Sequence, residues 1–487
     1  MADLTWTRGQ ILQRAAAAGL GFAAAGRFAA ASAADADVVA APPAGVHVFA
    51  SRPDLLPPVV SVLHRVPGAT ADGLLFTAPL SGPGARGAML VEEDGNLVYF
   101  HPTKPVVALN FRAATYRGKP VLTWWEGVTE NGLGNGSHVI LDDTYRLVKR
   151  VDAGNARHAD LHEFLLTDRN TALVTAWDHA EADLRPFGGP ANGVVVNGMI
   201  QELELPSGRV LFEWKSMDHV GLDESYAGVG PQFDFFHVNS IQRLPDGDYL
   251  VSARNTWCVY KIDGETGEIV WRLGGKRSDF SMGTGTVFAW QHDARLHGNL
   301  LSVFDDGGDP QVQPQSKGLV LALDTKRMRA SLHRRYTHYP TLHSHALGSL
   351  QRQPNGNVLI GWGTAPYFTE FTDGGRVVFD ARLPKGGENY RALRFPWRGE
   401  PYFPPAVNAM SHAAGHLLFV SWNGATEVAL WQLETGSSPG SLTPELKVPR
   451  THFETSIPVS AGVKYARVAA LDTQGAALGR SETLHFV

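Results

Sequence analysis

A chain of 487 residues with 44% hydrophobic and 19% charged residues is globular, and it is too long for one ordinary core. Its net charge of −5 and its lack of a long basic block argue against nucleic-acid binding. The single cysteine, Cys258, excludes an intrachain disulfide and a cysteine-rich zinc site; within the apolar run Trp257–Tyr260 it reads as a buried small hydrophobe.

Taken in chain order, Thr7–Arg14 leads into the Ala- and Gly-rich stretch Ala15–Gly26. Ala31-Ser32-Ala33 follows, then an acidic stretch from Asp35. This is the order of a basic region, an apolar region and a small-residue cleavage site, so residues 1–34 are expected to be an export signal. The apolar part is too short for a membrane span, and no stable membrane anchor is expected. The route is twin-arginine-like or general secretory, since Gly9 stands where a second arginine would follow Arg8. The expected location is secreted, periplasmic or cell-envelope.

After the extended segment Arg52–Pro58, strands are predicted at Pro58–Leu63, Gly73–Pro79 and Gly87–Phe100, with a tight turn at Glu93-Asp94-Gly95-Asn96. A repeating unit then takes over. Histidine beads at His162, His237, His292 and His345 recur after 75, 55 and 53 residues. Each precedes an apolar run: Ala172–Trp177, Asp248–Ala253, Asn299–Phe304 and Asn357–Trp362. Pro245-Asp246-Gly247-Asp248 and Pro354-Asn355-Gly356-Asn357 are the same turn in two units. Ser240-Ile241-Gln242-Arg243 likewise matches Ser349-Leu350-Gln351-Arg352, which sets Ala346, and not His345, opposite His237. Leu203–Trp214 echoes Tyr260–Trp271, with Gly208 and Gly267 in the turns and Trp214 and Trp271 expected between units. A weaker unit runs from Asn110-Phe111-Arg112 to Trp124.

Repeats of this length predict an all-β fold, a β-propeller of about six blades within residues 35–396. Equivalent positions on successive blades meet at a central channel, so distant histidines are expected to cluster. The rhythm stops after Trp397. Beyond the proline-rich Pro401–Pro405, residues 397–487 read as a small β-sandwich of the fibronectin III or immunoglobulin type.

Ser51–Leu55, Phe236–Ile241, Thr266–Gly275, Gln291–Arg295, Pro354–Asn357 with Gly361-Trp362-Gly363, and Ser421–Glu427 together resemble the arylsulfotransferase family. The resemblance covers nearly everything after the signal. It implies a six-bladed propeller that moves a sulfuryl group from a phenolic sulfate ester to a phenol through a sulfurylated histidine, without a nucleotide donor. It implies small aromatic sulfate esters and phenols as partners, and no cofactor or metal. Carried over residue by residue, it makes His345 the nucleophile and His237 and His292 the histidines beside it. Lys317 stands in for the family arginine, a departure from the pattern.

Such chemistry needs a neutral imidazole, because a protonated ring has no lone pair. Clustered cations and burial both favour that form. His237, His292 and Lys317 are expected to donate to the sulfuryl oxygens. Asn239, Phe236, Trp290, Trp362 and Tyr367 are expected to bind the aryl substrate. His158, Asp160, His162 and Glu163 suggest a metal site, but such a cluster beside a turn reads first as a solvated loop, so no metal is assigned. Gly274-Gly275-Lys276-Arg277 lacks phosphate-loop spacing. Two other readings stand beside this one. The chain is a non-catalytic ligand-binding propeller, or, because Asp263–Gly267 with Trp271 resembles a blade-docking repeat, a quinone-dependent dehydrogenase.

Overall fold

The computed structural model describes residues 5–6, 39–40 and 44–486. Apart from Thr5–Trp6, the export signal expected over 1–34 lies outside the described residues.

Six four-stranded antiparallel units follow one another. Blade 2 comprises Val107–Tyr116, Lys119–Glu130, Leu133–Asp142 and Leu147–Val151. Blade 3 comprises Phe164–Leu166, Thr171–Ala182, Gly193–Glu204 and Arg209–Lys215. Blade 4 comprises Val238–Arg243, Tyr249–Ala253, Cys258–Ile262 and Ile269–Gly274. Blade 5 comprises His292–His297, Leu300–Asp305, Lys317–Asp324 and Arg329–Tyr336. Blade 6 comprises Ser349–Arg352, Val358–Gly361, Tyr367–Phe371 and Val377–Arg382, with the early strand Ser61–Arg65 added outside. Blade 1 is built from both ends of the propeller: Leu74–Thr77, Gly87–Val91 and Leu97–Pro102 take their innermost strand from Leu393–Phe395.

The inner strands of blades 4, 5, 6, 1 and 2 pack in succession, and blade 3 fills the remaining place between blades 2 and 4, so the ring closes. Closure through a late strand pins the first blade to the last and leaves no free inner edge. Six apolar cores lie between neighbouring blades. The second strands show why these runs are continuously apolar. Ala172 and Val174 pack toward blade 2, while Leu173 packs toward blade 4. Side chains alternate across a strand, and here both faces are buried. Trp214 and Trp271 lie in two of these inter-blade cores.

The repeated Ser-x-Gln has a role at the axis. Gln242 donates to Leu296 O at 2.9 Å and accepts from Leu296 N at 2.7 Å. Gln351 does the same to Arg394, at 3.0 and 2.7 Å. Ser240 and Ser349 accept from Ala294 N and Ala392 N. Each pair stitches its inner strand to the next blade, which holds the ring in register.

After the propeller, Ala406–His412, Gly415–Ser421 and Glu454–Ser460 form one antiparallel sheet. Leu430–Gly436, Thr443–Pro449, Tyr465–Leu471 and Ala477–Arg480 form a second, with Leu484–His485 on its edge. Leu418, Trp431, Leu433, Ile457 and Val468 from both sheets share one core. Asn423 fixes this module to blade 1: its Oδ1 accepts from Phe100 N and its Nδ2 donates to Phe100 O, both at 2.9 Å. Ser51 donates to Glu454 from its backbone at 2.6 Å, which ties the segment before the propeller to the same module. Among the described residues no helix is long and apolar enough to cross a membrane.

Candidate functional site

Three imidazoles meet near the axis, one from each of blades 3, 4 and 5. His162 and His237 approach edge to face, with ring centroids 4.8 Å apart. Tyr390, which precedes the closing strand, links the group: its ring lies 5.7 Å from His162 and 6.4 Å from His292. Its hydroxyl donates to the carbonyls of His162 and Asn239, at 3.0 and 3.1 Å. All three histidines stand at the starts of inner strands, where the pleat brings them to the axis.

Each ring is held at Nδ1 by its own aspartate. His162 pairs with Asp160 at 2.5 Å and His292 with Asp306 at 2.7 Å; His237 pairs with Asp234. A carboxylate at Nδ1 orients an imidazole and selects the tautomer whose Nε2 carries the lone pair. Among the described residues no protein group hydrogen-bonds to any of the three Nε2 atoms. His162 and His292 are buried, and His237 is the ring most open to solvent.

Backbone strain shapes the site. His237, Trp290 and Asp293 occupy the left-handed region, with φ of 55°, 58° and 56°. The register of the inner strands slips between Val238 and Ser240 and between His292 and Arg295. Such bulges re-aim side chains. Here the second one lets two consecutive residues, His292 and Asp293, both serve the axis.

Burial and nearby charges disfavour the protonated form of His292. Burial pushes its pKa well below the usual histidine value, and Arg254, His162 and His237 push the same way. Burial also pushes the Asp306 carboxyl up, against the pull of Arg254. Both directions disfavour an imidazolium–carboxylate ion pair here; when Asp306 is ionised it accepts from Nδ1–H, which leaves the lone pair on Nε2. For His162, burial lowers the pKa and outweighs Asp160. Arg254 follows the second strand of blade 4 and lies over the Trp290 ring, 4.8 Å from its centroid. Its Nη2 donates to His345 O at 3.2 Å.

Beneath the rings sits a buried ionic layer. Glu163 accepts from Arg391 at 2.7 Å and from Arg295 at 2.5 Å, and Arg112 lies 3.8 Å away. Burial pushes Glu163 up, but Arg295 and Arg391 outweigh it and hold its pKa at about 2. Asp293 adds a second carboxylate, 2.7 Å from Arg295. The expectation of a solvated loop around His162 therefore fails. Asp160, His162 and Glu163 are buried, and only His158 is exposed. Among the described residues no three or more His, Cys, Asp or Glu side chains are arranged so that they could hold a metal ion.

The other expected site residues fall in varied places. His345 is exposed. Its backbone N–H donates to Thr364 Oγ1 at 2.9 Å, and its ring joins none of the three axial imidazoles in an aromatic contact. Through its carbonyl it braces Arg254, so it belongs to the rim of the site. The structural register pairs Ser349–Arg352 in blade 6 as it pairs Ser240–Arg243 in blade 4, and both Ala346 and His345 lie before the paired strand. Lys317 is engaged by Asp305 at 2.7 Å and lines a separate cavity with Trp257, Val312 and Gln313. Arg254, which the sequence reading missed, is the leading charge acting on both His292 and Asp306. Phe236 is buried between blades 3 and 4 against Trp214 and Tyr260. Trp362 is buried against Phe304, with its indole N–H donated to Thr369 at 2.9 Å. Tyr367 packs on His338. These three are packing residues, not walls of an aryl slot. Trp290 lies under Arg254, and Asn239 donates to Gln291 O at 2.6 Å, so both stay beside the rings.

The profile of the arylsulfotransferase family (ASST) matches residues 112–383, more than half of the chain. The chain belongs to the arylsulfotransferase family. No curated protein matches its sequence. Among solved structures, a protein of unknown function from Bacteroides caccae is 13% identical. It covers 66% of this chain and 98% of its own, with a TM-score of 0.42. The Staphylococcus aureus virginiamycin B lyase, solved as an inactive variant with quinupristin, is 10% identical, covering 75% of this chain and 96% of its own at a TM-score of 0.34. Saccharomyces cerevisiae Sqt1 is 12% identical, covering 76% and 83% at a TM-score of 0.33. At these values none of the three bears on what this arylsulfotransferase-family chain does.

Proposed function

We propose that this chain moves a sulfuryl group from a phenolic sulfate ester to a phenol, with His292 as the transient carrier. The observation that carries the reading is the convergence of three aspartate-held imidazoles beside Arg254 on one axis. His292 replaces His345 in the carrier role because its ring is buried, pushed below the usual histidine pKa and oriented by Asp306, whereas His345 is exposed.

The lone pair on His292 Nε2 attacks sulfur, an N–S bond forms, and the S–O bond to the donor phenol breaks with its electron pair on oxygen. The guanidinium of Arg254 balances charge on the sulfuryl oxygens, in the manner of an oxyanion hole. His237, the most solvent-open ring, is placed to hand a proton to the departing oxygen and to take one from the incoming phenol. The acceptor oxygen then attacks sulfur, the N–S bond breaks, and the electron pair returns to the ring. Donor and acceptor are both phenols, so one site serves both half-reactions. Export fits this reading: the Arg8 to Ala33 pattern supports a site of action outside the cytoplasm.

The test is incubation with a chromogenic aryl sulfate and a phenol, without nucleotide. Chromogen release that depends on the phenol supports the proposal. A folded protein that releases none contradicts it and leaves a ligand-binding propeller.

A further inference from the structure

We infer that the opposite end of the axial channel holds a second site, which binds a small tetrahedral oxyanion such as inorganic sulfate or phosphate. A cavity of 190 Å³ lies there, lined by Arg112, Asp293, Arg295, His297, Arg352 and Arg391 together with apolar and amide groups of the inner strands. The histidines stand at the starts of these strands, and the cavity residues lie farther along them. In blade 5, Arg295 and His297 alternate and share one face, and Asp293, in the bulge before them, pairs with Arg295 at 2.7 Å.

Charge makes the site. Four guanidiniums line the cavity, and only two carboxylates, Glu163 and Asp293, balance them. Among the described residues, Arg352 forms no ion pair and no side-chain hydrogen bond. The Arg112 side chain forms no hydrogen bond either, and its nearest carboxylate oxygen is 3.8 Å away. The buried Arg391 leaves its Nε without a partner. A buried polar group left unpaired, here Arg391 Nε, is costly, and an anion with several acceptor oxygens can also bond the half-buried Arg112 and the exposed Arg352. The field is also felt by a neighbour: burial, then Arg352 and Arg295, hold His297 below the usual histidine range.

Size selects the ligand. Pockets for drug-sized molecules span roughly 300–1,000 Å³, so this cavity is too small for a nucleotide. A tetrahedral oxyanion with one or two waters fits. The buried Glu163 layer and Tyr390 separate the cavity from the imidazoles, so this site is distinct from the proposed transfer centre and does not depend on that activity.

The probe is titration calorimetry of the full chain with sodium sulfate and, separately, sodium phosphate. Saturable one-site binding is expected, weakened at least tenfold in Arg352→Gln and retained in His292→Ala. The exposed Arg352 is outside the packed cores, so its variant is expected to fold and turn over substrate as the parent does. Crystals soaked in selenate locate the ion, with an anomalous peak expected between Arg112 and Arg352. Absence of saturable binding, loss of binding in His292→Ala alone, or a peak only beside the imidazoles would overturn the inference.

Discussion

His162 and His237 touch edge to face at 4.8 Å between ring centroids, although they belong to different blades and to distant parts of the chain. The contact exists because each ring begins an inner strand and each is turned by an aspartate at Nδ1. His292 completes the group from blade 5 through Tyr390.

Removing the proposed carrier should remove transfer. His292→Ala is expected to lower kcat by three orders of magnitude or more, on the order of what loss of a nucleophile costs. His345→Ala is expected to change kcat by less than about tenfold, because its ring is exposed and only its backbone braces Arg254. Steady-state kinetics with a chromogenic aryl sulfate compares the two. Equal losses would contradict the assignment.

Arg254 should act in the transition state. Arg254→Gln is expected to reduce kcat about 10²–10³-fold, the usual cost of removing one oxyanion donor, with a smaller effect on KM. Lys317→Met is expected to leave kcat within about threefold, because its ammonium is already taken by Asp305. The reverse ranking would restore Lys317 as the site cation.

The buried ionic layer should govern stability. Arg391→Leu leaves Glu163 short of its 2.7 Å partner in a dry environment. A loss of about 3–5 kcal/mol is expected, which denaturant titration reads. A loss under about 1 kcal/mol would mean that Arg112 and Arg295 compensate fully.

His138 supplies a pH test away from the site. It is buried against Phe164, with ring centroids 4.3 Å apart, and neither ring nitrogen has a partner. Burial lowers its pKa from 6.5 to about 3. A depressed histidine takes up a proton in the unfolded chain before it does in the folded one. Stability is therefore full above pH 6.5 and falls as pH drops toward about 3. His138→Leu is expected to flatten that slope by up to one proton and to add roughly 1–2 kcal/mol near neutral pH, since it removes an unpaired buried polar group. An unchanged slope in thermal melts between these limits would show that the ring is protonated or hydrated.

The propeller was legible because its signal repeats: two matching turns, two Ser-x-Gln inner strands and second strands apolar on both faces. The histidines were legible for the same reason. Their partners were not, because Asp160, Asp234 and Asp306 lie two residues before, three before and fourteen after their histidines. Proximity comes from loops, and no fixed spacing marks it. Arg254 was hidden as the residue after a strand. Glu163 was masked by neighbours that look solvated, and Arg391 precedes a closing strand outside the repeat. Phe236, Trp362 and Tyr367 misled because an aromatic beside a bead packs between blades as readily as it lines a channel.

The most direct measurement of the central claim is peptide mass mapping of the protein after exposure to an aryl sulfate without acceptor. The account predicts a sulfuryl group on the peptide that contains His292, discharged when a phenol is added. A stable group on the peptide that contains His345, or none on any histidine while phenol-dependent turnover persists, would contradict it.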